Sequence, residues 1–196
     1  SNVFDRAALT AENEYITVNA KTAISAKGIS PSGTAAEIPA DAVLKLTDDS
    51  FGAIENGVFF PTKTGDATVQ MIHNGKVVGE TTVHIVVPDK IAFTSTALAT
   101  PYGKSSEIGL NLTFGEFDYA VAFDAADVEF TLSDGKFGSV SGLTFTATSD
   151  TTVTGSGTIT ATVVGTSASA SVPLNVGKGS EVIFDFEDAS VDGWGT

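Results

Sequence analysis

Cysteine is absent from this 196-residue chain, which removes disulfides, thiolate metal sites and cysteine nucleophiles together. Arginine occurs once, as Arg6, and 10 basic residues face 24 acidic ones for a net charge of −14. A field of that sign repels phosphate backbones and anionic lipid, so neither nucleic acid nor a membrane surface is expected as a partner. Long apolar runs are missing too: none approaches the ~20 residues that span a bilayer, and no basic-then-apolar leader opens the sequence. The chain therefore reads as a mature or excised segment. Helical periodicity is nowhere convincing, histidine is confined to His73 and His84, and the one tryptophan is Trp194.

What the chain has is a repeat. Phe51-Gly52-Ala53-Ile54-Glu55-Asn56-Gly57-Val58-Phe59-Phe60 returns as Phe137-Gly138-Ser139-Val140-Ser141-Gly142-Leu143-Thr144-Phe145 if one residue is deleted before the second glycine. Each copy is a short apolar run, a glycine-containing reversal and a run carrying an aromatic, the pattern of a β-hairpin. On this alignment Phe60 matches Phe145 and Ile54 matches Val140, all four expected inside. Ile38 and Val43 correspond in order to Phe123 and Val128. A spacing of about 85 to 90 residues divides the chain into two small modules rather than one large domain.

In order, residues 1–10 show no period and are expected to be a lead-in. Module 1 spans 11–88. It opens on the alternating Tyr15-Ile16-Thr17-Val18 and continues through Ala23 to Ile29 and Val43 to Leu46. Ala67, Val69 and Met71 share one face of the strand before Asn74-Gly75, the strongest hairpin signal present, and Val83, Ile85 and Val87 form the inward face of the strand after it. Pro88-Asp89-Lys90 joins this directly to module 2, residues 89–177. Pro173 has no amide donor, so its strand must expose that position at an edge or away from the ladder. Seven or so short strands per module, punctuated by Gly, Pro, Asp and Asn, predict an all-β fold of two tandem antiparallel immunoglobulin-like β-sandwiches.

The Cys…Trp…Cys signature of antibody domains is absent. The Ile16-Thr17-Val18 strand, the Gly52-Ala53-Ile54 to Phe60 hairpin, Gly65-Asp66-Ala67-Thr68-Val69 and the Val83 to Val87 strand nevertheless resemble bacterial immunoglobulin-like (Big) domains, which occur in tandem in cell-surface and secreted proteins. The resemblance covers residues 11 to 88 well, while module 2 keeps the hairpin and departs in its first half. After a linker at Gly177 to Ser180, Phe184-Asp185-Phe186-Glu187-Asp188 with Gly193-Trp194 is similar to the opening strand of jelly-roll carbohydrate-binding modules, so 178–196 is expected to hold a linker and the first strand of a truncated carbohydrate-binding domain. Together these resemblances imply a non-catalytic structural spacer or interaction module of a bacterial extracellular or cell-surface, glycan-active multidomain protein. The alternative they leave is an adhesion or carbohydrate-binding module using sandwich-end loops or a sheet edge. Expected partners are the neighbouring domains of the parent chain, with polysaccharide or a host protein as further ones, and the chain is expected to be a monomer without a cofactor.

Individual residues offer little chemistry. His73 abuts a turn and His84 lies on a polar face; a base or ligand needs a convergent partner, which no spacing supplies, so both read as surface residues. Carboxylates could supply the oxygen ligands that calcium prefers. Asp48-Asp49 with Glu55, and Asp124 with Asp127, are such groups, and Asp185, Glu187, Asp188 and Asp192 are the foremost calcium candidates. None forms an EF-hand loop. Phe51, Phe60, Phe93, Phe114, Phe123, Phe137 and Phe145 fall on apolar registers and are assigned to the core. Tyr15, Tyr102, Tyr119 and Trp194 are candidates to stack on glycans, too scattered to form a visible platform.

Overall fold

A computed structural model describes residues 3–179. Its strands are β1 (Arg6–Ala11), β2 (Tyr15–Ile16), β3 (Thr22–Ile29), β4 (Ala35–Ala36), β5 (Val43–Leu46), β6 (Gly52–Glu55), β7 (Val58–Pro61), β8 (Gly65–His73), β9 (Lys76–Ile85), β10 (Lys90–Phe93), β11 (Leu98–Pro101), β12 (Ser105–Glu107), β13 (Leu110–Phe114), β14 (Tyr119–Ala120), β15 (Val128–Leu132), β16 (Gly138–Ser141), β17 (Thr144–Ala147), β18 (Ser156–Val163) and β19 (Ser169–Gly177). They divide into two compact units. Among the described residues the first takes 3–88 with Phe114–Asp124, the second Asp89–Thr113 with 125–179.

In the first unit one sheet runs β1-β3-β7-β6 and the other β2-β9-β8-β5. Lettered along the chain as A (β1), A′ (β2), B (β3), C (β5), D (β6), E (β7), F (β8) and G (β9), the sheets are ABED and A′GFC, the immunoglobulin arrangement. Strict alternation in β8 buries Ala67, Val69 and Met71, and Ala67 and Val69 share one core cluster with Val83 and Ile85 of β9 and the fully enclosed Ile16 and Phe59. The β8–β9 turn is Asn74-Gly75 with φ of 51° and 76°. Two successive positive φ values match the right-handed strand twist, and Asn-Gly adopts them at least cost.

The second unit repeats the order with one break. β11-β19-β18-β15 is its A′GFC sheet, and the opposite sheet is carried by β10-β13 and β12-β17-β16. Strand B is thus split: β12 pairs with E and β13 with A. The same division of labour exists within the continuous β3, whose Thr22 and Ala23 pair with β7 while Ile24 to Ile29 pair with β1. Gly109, at the break, is closed on by Thr94 so tightly that a β-carbon would meet its Oγ1 at 2.1 Å. The departure seen in the first half of module 2 is therefore a local interruption of the same plan. Pro173 lies opposite Thr158 on β18, one residue before β11 begins to pair at Leu174, so its missing donor leaves no ladder bond unmade.

The repeat is real, but its register differs from the sequence alignment. Ile54 pairs with Phe59 and Val140 with Phe145, and the two-residue turns are Asn56-Gly57 and Gly142-Leu143. No residue is deleted; the glycine moves one place within the turn. Gly57 follows Asn56 at positive φ, whereas Gly142 alone is positive in its turn, the difference between I′ and II′ turns. Phe59, not Phe60, is the counterpart of Phe145. Both have no exposed surface, and Phe60 is 39% exposed on the other face. Of the remaining phenylalanines assigned to the core, Phe137 is buried and Phe51, Phe93, Phe114 and Phe123 are half-buried.

Three further expectations change. Strand A, Arg6–Ala11, starts inside the supposed lead-in 1–10 and crosses its boundary with module 1, and its inward residues Ala7 and Ala11 are too small to mark an apolar period. Val87, expected beside Val83 and Ile85, is exposed because β9 ends at Ile85. Phe114–Asp124, inside the predicted span of module 2, belongs to the first unit: the amide of Ala122 donates to the carbonyl of Tyr15 at 2.9 Å and that of Thr17 to Ala122 at 3.0 Å.

Candidate functional site

Three adjacent strands place a carboxylate, an imidazole and a phenol in one row on the first unit. Tyr15 of β2 is in register with His84 of β9, and His84 with Asp66 of β8. Alternation points Ile16, Ile85 and Ala67 inward, so the residues beside them must face outward. His84 Nδ1 lies 2.7 Å from Asp66 Oδ1, and the imidazole stacks on the Tyr15 ring at 4.6 Å between centroids. The second face of Tyr15 is covered by Tyr119, at 4.4 Å and an interplanar angle of 9°. Phe117 approaches Tyr119 edge-on at 6.1 Å, and Phe114 lies 6.3 Å from Tyr15. Phe117 is 73% and Tyr119 41% exposed. The hydroxyl of Tyr15 is held above the ordinary tyrosine range, first by partial desolvation and then by Tyr119, with the negative charges of Asp66 and Glu14 adding to it.

A carboxylate–imidazole pair orients the ring and fixes where its proton sits, the arrangement a general base uses. Here the pair lies on the outer face of a sheet, with a phenol ring flat against the imidazole. The arrangement offers aromatic surface and a charged hydrogen-bonding edge, and it suits recognition. Sequence reasoning named Tyr15, Tyr119 and His84 separately and passed over Asp66 and Phe117. The polar alternation of Asp66 and His84 could have flagged their shared face, but the parallel pairing of β2 with β9 and the placement of Phe114–Asp124 had no signal in sequence.

The other candidates stand apart from this row. His73 Nε2 is 3.1 Å from Asp41 Oδ1, with Phe4 edge-on to its ring at 5.8 Å. Both histidines, expected to lack partners, thus have carboxylate partners brought from other strands and loops. Tyr102 donates its hydroxyl to the carbonyl of Val153 in the second unit. Asp48 turns inward on its own loop: its Oδ1 accepts from the amide and the hydroxyl of Ser50 at 2.9 and 2.6 Å, which holds its carboxyl below the usual range. Asp134 makes the same cap to the Lys136 amide at 2.9 Å. Asp127 is buried and Asp124 exposed. Among the described residues no group of three or more His, Asp or Glu side chains is arranged to hold a metal. Asp185, Glu187, Asp188, Asp192 and Trp194 lie outside the described residues.

No protein-family pattern matches the chain, and no curated protein matches it in sequence. Among solved structures it is similar to domains 4 and 5 of the S-layer protein SbsC, at 17% identity and a TM-score of 0.36 over 89% of this chain and 98% of that one. It is also similar to invasin, a bacterial integrin-binding protein, at 11% identity and a TM-score of 0.39, spanning 90% of this chain and 40% of invasin's. A third is FdeC, an Escherichia coli adhesin, at 13% identity and a TM-score of 0.34 over 90% of this chain and 65% of that one. All three TM-scores fall below 0.5, and the immunoglobulin assignment rests on the strand order itself.

Proposed function

We propose that the chain is a non-catalytic structural module of a bacterial extracellular or cell-surface multidomain protein, built from two domains of the Big type. The observation that carries this reading is the pairing of strand A′ with strand G. In the first unit β2 runs parallel to β9, and in the second β11 runs parallel to β19 with Leu98 to Pro101 opposite Leu174 to Gly177. A′ lies near the entry of each unit and G at its exit. Pulling the ends apart therefore drags two parallel strands in opposite directions and loads all of their hydrogen bonds at once. A spacer between other domains needs that property. The low lysine and arginine content with abundant threonine and serine supports an exterior location, and 178–196 continuing into a carbohydrate-binding domain would make the parent protein glycan-active.

Single-molecule stretching of the full chain tests the reading. Two cooperative unfolding steps are expected, each releasing roughly 25–30 nm, the extended length of about 85 residues less the folded separation of their ends. Featureless extension without steps would overturn it. A second reading, adhesion or carbohydrate binding, is favoured by the exposed rings of Phe117 and Tyr119. Retardation of the chain in gels containing soluble polysaccharide, abolished by Tyr119→Ala and Phe117→Ala, would support it, and unchanged mobility would remove it.

A further inference from the structure

Both sandwiches are open along the same line. β5 is the outermost strand of one sheet of the first unit and β6 the outermost of the other. Between them lies a cleft of about 610 Å³ bordered by Leu44, Leu46, Asp48, Asp49 and Ile54. The second unit has β15 and β16 at the same two edges and a cleft of about 370 Å³ bordered by Val128, Phe130 and Val140. Laying Gly52 on Gly138 puts Leu44 on Phe130 and Ile54 on Val140. The opening is thus duplicated with its apolar floor.

The backbone of β5 is set to use it. Thr47 donates to the carbonyl of its ladder partner Thr68 at 3.1 Å, so in an antiparallel ladder Lys45 and Val43 also bond β8, while Leu44 and Leu46 turn their N–H and C=O away from it. The second unit agrees: Ser133 donates to Thr158 and Val164 to the carbonyl of Asp127, both at 2.9 Å, which turns Val128, Phe130 and Leu132 outward. Each cleft combines a row of strand-edge donors and acceptors with apolar side chains beneath, the two requirements for adding a strand.

We propose that the β5–β6 cleft of the first unit binds an extended, basic peptide segment of a partner protein, which adds to β5 as a strand. The basic character follows from the rim. Asp48 and Asp49 close one end and Glu55 ends β6, three carboxylates against Lys45 on the cleft's border and Lys63, whose charge reaches Asp48. A second copy of the chain would bring another −14 to the same edge, and like charge at that density opposes edge-to-edge pairing. A polysaccharide offers no repeat of amide donors and acceptors to match Leu44 and Leu46. This interaction goes beyond the structural role, and its failure would leave the stretching result untouched.

The probe is a blocked heptapeptide, Lys-Val-Thr-Val-Lys-Val-Lys, titrated into the isotopically labelled full chain and followed by amide NMR and hydrogen exchange. Saturable shifts at Leu44 and Leu46, with exchange of their amides slowed at least tenfold, are expected. A peptide with proline at the central valine and one with glutamate in place of every lysine should each bind at least tenfold more weakly. Asp49→Lys should weaken the basic peptide and strengthen the acidic one, with the fold checked by the unchanged spectrum of the second unit. Equal binding of all three peptides, shifts centred on Tyr119 instead of β5, no shift at millimolar peptide, or protection of the same amides by self-association without peptide would each overturn the proposal.

Discussion

Replacing Phe59 by alanine, and separately Phe60, sets the register of the repeated hairpin against its most direct test. Phe59 has no exposed surface and packs in the cluster of Ile16, Ile24, Val69, Val83 and Ile85. Truncating so enclosed a ring loses its transfer free energy and leaves a cavity, together about 3–5 kcal/mol. That is a fifth or more of the roughly 5–15 kcal/mol a small domain possesses. At about 4–8 °C per kcal/mol, the first unit should melt at least ~12 °C lower. Phe60 is 39% exposed and has Lys21 Nζ 5.9 Å from its ring centre, so Phe60→Ala should cost about 1 kcal/mol or less. Scanning calorimetry of the full chain reads both, with the second unit's transition as an internal reference. Phe60→Ala destabilising as much as Phe59→Ala would refute the register. Because successive residues of a strand face opposite ways, the two phenylalanines cannot both be inside.

Gly52→Ala and Gly138→Ala should each cost about 2 kcal/mol or more in thermal melts, since φ there is 143° and 152° and a β-carbon would meet a backbone oxygen at 2.1 and 2.2 Å, a conformation only glycine holds without strain. Asp48 is held below its ordinary range chiefly by the Ser50 hydroxyl and amide. Its contribution is therefore present above the unfolded carboxylate value and lost as pH falls through the lowered folded one; acid titration of stability should flatten in Asp48→Asn. Tyr15 is shifted the other way, so the first unit should lose stability as pH rises past the ordinary tyrosine range, and Tyr15→Phe should remove that alkaline slope.

Much of the architecture lies in local pattern. Alternation in Ala67 to Met71 and Val83 to Ile85, the Asn74-Gly75 turn and the recurrence of Phe-Gly before an apolar strand are properties of a few consecutive residues. Backbone geometry makes them nearly context-free: a strand has period two, and only certain residues accept positive φ. The duplication, the sheet-rich fold and the acidic, cysteine-free surface were therefore determined by sequence. What tertiary structure alone decided is of another kind. Whether Phe59 or Phe60 enters the core depended on a one-residue choice between two plausible alignments, which pairing of Ile54 with Phe59 resolves. Strand β1 was hidden because alanine contributes too little apolar contrast for a period to show. The Tyr15–His84–Asp66 row requires a parallel pairing of segments about 70 residues apart, and Tyr119 joins it from beyond the first module altogether. Such meetings are selected by the burial of the other face of each strand, with Ile16, Ile85 and Ala67 driven inward together. Residues on the outer face are carried into contact by a free energy to which they contribute little, and so their own sequence does not announce it.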